Sequence, residues 1–338
     1  MKYFEEHDVA DRYKEQYLCC VDKLIKQRQQ YCAQKRAEHC KNFSENQEMH
    51  REELKQLLGW PLTEERELTT PKVASEQLFE SEKYIVYRMQ FKTIGEVYMT
   101  GLFFRYKKDE KPLVITLHGA LGSPERVAGF YGDTTNYNDM ISKVLEYECH
   151  VFAPQLLAWD NGIYNEYSVK CDRNMMDSRL KRVGSSIAAV EIYGLQRIID
   201  YFEKQSYVSN IGMVGFSYGG FYTIFTSALD VRVKAATSAG WFWNKTDRID
   251  WSWMNIEERF SDAEIVALIC PRKLYIGSPT EDPNGDVERA MLEVERIKKL
   301  CRDEGNEWVE LLIYEGKHEF FRDNGPIKEM IAYLLDRG

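Results

Sequence analysis

Ile211-Gly212-Met213-Val214-Gly215-Phe216-Ser217-Tyr218-Gly219-Gly220 is the stretch that decides the fold of this chain. A short apolar run ends in a G-x-S-x-G element, and a helical pattern starts directly after Gly219, so a strand turns into a helix with a serine at the corner. Such a corner holds its serine in a strained backbone conformation, and the flanking glycines let strand and helix approach without a Cβ clash. The arrangement is that of a nucleophile elbow, which makes Ser217 the candidate nucleophile.

Working outward, near-continuous apolar runs recur at 113–117, 151–153, 233–237, 273–276 and 308–314. Helical stretches separate them at about 185–202, after 219 and at about 287–300, and a closing helix follows. Strands that are apolar throughout are buried on both faces, and their alternation with helices predicts an α/β fold with a mainly parallel central sheet flanked by helices. Upstream, from about Ser81, residues 84–89 and 97–104 read as an antiparallel hairpin.

The first sixty residues read as helix. Tyr17, Val21, Leu24 and Ile25 share one face, and a second helix opens on a capping box of Ser44 and Gln47 and stops at Gly59 and Pro61. The expected organisation is an N-terminal helical extension over 1–60 and an α/β domain over 61–338, with a cap insertion at about 241–262. The extension packs on the main domain or forms a homodimer contact, and both readings stand.

The whole chain has 338 residues, 44% of them apolar, and a net charge of −9. That apolar fraction excludes wholesale disorder. The acidic balance argues against nucleic-acid and anionic-membrane partners, which need basic patches. No apolar run approaches the roughly 20 residues of a spanning helix, and the N-terminus carries no secretory pattern, so a cytoplasmic protein is expected. Eight scattered cysteines without a CxxC pair read as free thiols, and no metal site is expected.

A serine hydroxyl needs a base beside it. Of six histidines, His7, His39 and His50 lie in the polar N-terminal helices and read as solvated, and His150 reads as structural. His318 follows the last strand, on the same sheet edge as the elbow, and is the expected base. The acid that orients it should follow the 273–276 strand, where Glu281 and Asp282 are adjacent. Asp282 is favoured, with Glu281 the alternative. For the oxyanion, the Tyr218 amide lies at the start of the elbow helix, and the Ala120 amide lies in the glycine-rich turn His118-Gly119-Ala120-Leu121-Gly122. His118 is expected to shape that turn rather than to transfer protons. Trp241 and Trp243, after the 233–237 strand, are candidate substrate contacts, with core packing of the insertion as the competing reading.

These stretches carry a resemblance. His118-Gly119 through Pro124-Glu125, residues 135–140, 152–156 and 215–222, Pro271-Arg272-Lys273-Leu274 and His318-Glu319-Phe320 resemble serine esterases of the α/β-hydrolase superfamily. The likeness is to the bacterial group of acetyl xylan esterases and dienelactone-hydrolase-like proteins. It implies the α/β-hydrolase fold and a Ser-Asp/Glu-His serine carboxylesterase acting on short-chain, acetyl-type esters, including those of carbohydrates, without cofactor. Pro279 stands where this group often has glycine, which leaves the choice between Glu281 and Asp282 open. The rival readings are a serine peptidase or amidase on the same fold and a non-catalytic binding protein.

Overall fold

In the computed structural model the described residues are 2–62, 69–108, 110–157, 169, 171–243, 252–301, 305 and 307–336. Nine strands form one sheet: β1 (Val73–Glu80), β2 (Tyr84–Ile94), β3 (Val97–Tyr106), β4 (Lys111–Leu117), β5 (His150–Pro154), β6 (Val208–Phe216), β7 (Val233–Ala239), β8 (Lys273–Pro279) and β9 (Val309–Tyr314). Their spatial order is β1-β2-β3-β5-β4-β6-β7-β8-β9. β1, β2 and β3 form an antiparallel meander, β3 joins β5 antiparallel, and β5 through β9 pair in parallel.

Both faces of the sheet are covered along β4 to β8, as their apolar runs require. Leu113, Ile115 and Leu117 of β4 enter one core while Val114 enters the other. The first core is closed by α2 (Gln47–Leu58), α6 (Ile187–Phe202), α7 (Tyr218–Leu229), α8 (Asp262–Ala267) and α9 (Val287–Leu300). The second is closed by α3 (Pro124–Val127), α4 (Met140–Leu145) and α10 (Gly325–Leu335). α5 (Arg173–Arg182) lies between β5 and α6 in the chain. α7 carries no charged residue and is almost wholly buried, so the elbow rests on a close-packed core helix.

The N-terminal segment differs in three ways from what its sequence leads one to expect. α1 (His7–His39) forms but has no buried residue. It is tied down near its C-terminal end, where Arg28 bonds Glu258, and Arg36 bonds the Glu257 carbonyl and pairs with Glu264. Ser44 makes no capping box, because its hydroxyl donates to the Leu300 carbonyl and α2 starts three residues later. His50 is not solvated: it is fully buried, stacked on Phe43, with Nδ1 3.3 Å from Glu53. His39 is half-buried, edge-on against the His50 ring. α2 itself is docked firmly. Leu54 and Leu58 are wholly buried, and the Arg51 guanidinium donates to the Ala228 and Leu268 carbonyls.

β1, outside the predicted hairpin, is an edge strand whose side chains are mostly exposed. All eight cysteines are free thiols. Among the described residues no helix is long and apolar enough to cross a membrane.

Candidate active site

The parallel strands deliver their C-terminal ends to one edge, where Leu117 pairs with Gly215, Phe216 with Ala239, and Pro279 with Tyr314. Ser217 follows β6 with φ +56° and ψ −119°, a conformation an L-residue holds only when its surroundings enforce it. The enforcement is visible. Its amide donates to the Ala239 carbonyl, and α7 starts at the next residue. A Cβ on Gly219 would fall 1.9 Å from the Leu117 carbonyl oxygen, so glycine alone permits this approach of α7 to β4.

His318 lies in the loop between β9 and α10. Its Nε2 is 2.9 Å from Ser217 Oγ and its Nδ1 is 2.7 Å from Asp282 Oδ2. The Asp282 side chain is fully buried, and its other oxygen accepts from the Asn284 amide at 2.8 Å. One oxygen is thereby fixed by backbone and the other is left for the imidazole. Glu281 is exposed, and its amide donates to the Gly316 carbonyl. The structure therefore brings Ser217, His318 and Asp282 together and leaves Glu281 outside.

The turn after β4 lies against the nucleophile: a Cβ on Gly119 would fall 3.0 Å from Ser217 Cβ. His118 is buried and pins this turn. Its Nδ1 donates to the Gly119 carbonyl at 2.8 Å, and its Nε2 accepts from the Leu156 amide at 2.9 Å. Burial pushes this imidazole down to about 4, so it stays neutral, as its one donor and one acceptor require. The Ala120 amide has no hydrogen-bond partner among the described residues, and Tyr218 opens α7, where first-turn amides lack helical partners.

Sequence reasoning missed the residues that hold these parts in register. Tyr137 accepts from the Gly119 amide at 3.0 Å and sets its ring edge-on against Phe216. Asn136 donates to the His318 carbonyl at 3.0 Å, and Asn138 donates to Glu319 and to the Phe320 carbonyl. The loop 135–139 thus ties the β4 turn to the histidine loop. Tyr314 donates to the Glu319 carbonyl at 2.6 Å; burial, with the Asp282 charge beside it, holds its phenol well above the usual range. A second network lies under Tyr218. The buried Arg173 guanidinium stacks 5.0 Å from the Tyr218 ring, donates to Tyr222 Oη, and pairs with Glu191 at 3.1 Å. Nothing in the spacing of these residues announces the network, because it joins separate helices.

The two tryptophans part company. Trp241 is 2% exposed and packs edge-on against Phe221 and Phe225, so it belongs to the core and not to a substrate surface. Trp253 joins the same cluster, stacked on Phe221. Trp243 stays half-buried at the margin of that core. Residues 244–251 of the expected cap lie outside the described residues.

Residues 99–333 match the family described as the dienelactone hydrolase family. No curated protein sequence matches the chain. Among solved structures, a glucuronoyl esterase from Solibacter usitatus shares 14% identity at a TM-score of 0.63, covering 84% of this chain and 91% of its own. Acetyl Xylan Esterase 1 from Thermoanaerobacterium sp. shares 12% at 0.56, covering 87% and 93%. A CE15 glucuronoyl esterase from Teredinibacter turnerae shares 9% at 0.57, covering 85% and 84%. At such identities the likeness is one of fold.

Proposed function

The chain belongs to the dienelactone hydrolase family, and from that premise we propose that it is a serine carboxylesterase for short-chain, acetyl-type esters of carbohydrates. The observation that carries the reading is the unbroken run of short contacts from Ser217 Oγ through His318 to the buried Asp282 carboxylate. Ser217 Oγ attacks the ester carbonyl carbon while His318 Nε2 takes its proton. Asp282 accepts the Nδ1 hydrogen, which keeps Nε2 free as acceptor and stabilises the imidazolium that forms. The Ala120 and Tyr218 amides receive the oxyanion, helped by the positive end of α7. Collapse expels the alcohol with the proton from His318. Water, deprotonated by the same nitrogen, then releases the acid and restores Ser217.

The carbohydrate ester is supported by two of the similar folds, an acetyl xylan esterase and a glucuronoyl esterase by name. Hydrolysis of a p-nitrophenyl ester series from acetate to octanoate, with Ser217→Ala alongside, tests the reading. Serine-dependent turnover that declines as the acyl chain lengthens is expected. A folded protein that turns over none of these esters would overturn it.

A further inference from the structure

α1 extends for 33 residues, about 50 Å, without one buried side chain. A helix of ordinary composition gains most of its stability from packing an apolar face, so a helix this long with so little against it lacks its partner. The apolar face is present. Ala10, Tyr13, Tyr17, Cys20, Leu24 and Tyr31 fall on the alternating three- and four-residue spacing of a coiled-coil seam, with Gln27 and Gln34 completing it. Tyr17 is 74% exposed and Leu24 57%. The polar ties of α1 to the hydrolase domain use Arg28 and Arg36, off this seam, so the seam is free to be covered while they persist.

We infer that the seam is covered by the same helix of a second copy of this chain, running antiparallel. Three properties of α1 select that occupant. The seam is self-complementary, as a two-fold interface must be. Within α1, residues 7–22 carry two basic and four acidic side chains, whereas residues 23–39 carry five basic and one acidic. An antiparallel pair therefore sets opposite charges end to end, and a parallel pair sets like against like. Side-by-side packing over this length also reaches the roughly 800 Å² per partner of a stable interface. The fullest overlap places Leu24 against the partner's Cys20 and Tyr31 against the partner's Tyr13.

The 338-residue chain is expected to sediment at micromolar concentration as a dimer, twice the 39.7 kDa chain mass. Leu24→Glu should raise the dimer dissociation constant by about 100-fold. Esterase activity should stay unchanged, because Leu24 belongs to neither apolar core of its own chain. In Leu24→Cys, oxidation should yield an intermolecular disulfide between the introduced thiol and the partner's Cys20, read by peptide mass spectrometry. A monomeric wild type, or a dimer indifferent to Leu24→Glu, overturns the interface. A predominant disulfide joining the two introduced thiols to each other overturns the antiparallel orientation.

Discussion

Replacing Asp282 by Asn separates the two carboxylates that the sequence leaves as rivals. In the native site Asp282 Oδ2 accepts from His318 Nδ1 at 2.7 Å, while Oδ1 is already held by the Asn284 amide. The introduced side-chain amide is isosteric with the carboxylate, but it has only one oxygen for two donors. If that oxygen stays with the Asn284 N–H, an NH₂ group faces Nδ1. The imidazole then moves its proton to Nε2, the atom that must receive the Ser217 proton. The substitution also removes the charge that stabilises the imidazolium. Unit charges about 4 Å apart at an effective dielectric of about 20 interact by about 4 kcal/mol, which corresponds to a roughly thousandfold loss in kcat/KM. Glu281→Gln, at an exposed position, should stay within about twofold of wild type. Steady-state hydrolysis of p-nitrophenyl acetate measures both. Asp282→Asn retaining a tenth of wild-type kcat/KM, or Glu281→Gln falling as far, would refute the assignment.

Three further outcomes are expected. Gly219→Ala puts a methyl group 1.9 Å from the Leu117 carbonyl oxygen, so expression should give no soluble, active protein, and a folded, active variant would contradict the elbow packing. Arg173→Met leaves the Glu191 carboxylate buried without its cation and should lower stability by about 3–5 kcal/mol in urea unfolding, with partial recovery in Arg173→Met/Glu191→Met. Burial pushes both His118 and His150 down to about 4 from an unfolded value of about 6.5. Because the folded value is the lower one, their contribution is complete above pH 6.5 and is lost as the pH falls toward 4, by up to about 3 kcal/mol each. Urea midpoints across that window should fall, and His150→Gln should flatten the slope; an unchanged slope would count against it.

The elbow was legible because chemistry and backbone constraint coincide in five residues: a serine forced to positive φ needs Gly219 behind it, and both stand in the sequence. His318 was legible by position, since a loop after a parallel strand opens on the same edge as the elbow. Choosing between Glu281 and Asp282 needed the side-chain direction, which adjacent letters do not carry. β1 escaped because its residues are mostly solvent-facing and show no apolar alternation. His50 looked solvated among charged neighbours, yet helical spacing turns it inward onto Phe43 and Phe260. Asn136 and Asn138 stand in a stretch that carries the resemblance, but their role gave no signal, because their hydrogen bonds reach a loop 182 residues away. Trp241 looked available for a ligand because an insertion was expected there, but its ring fills the space beside Phe221 and Phe225.

The most direct test of the central claim is covalent trapping with a fluorophosphonate, followed by intact-mass and peptide mapping. A single adduct at Ser217, absent from Ser217→Ala and strongly slowed in His318→Ala, is the predicted result. Ester turnover without an adduct at Ser217, or an adduct on another residue, would contradict the account.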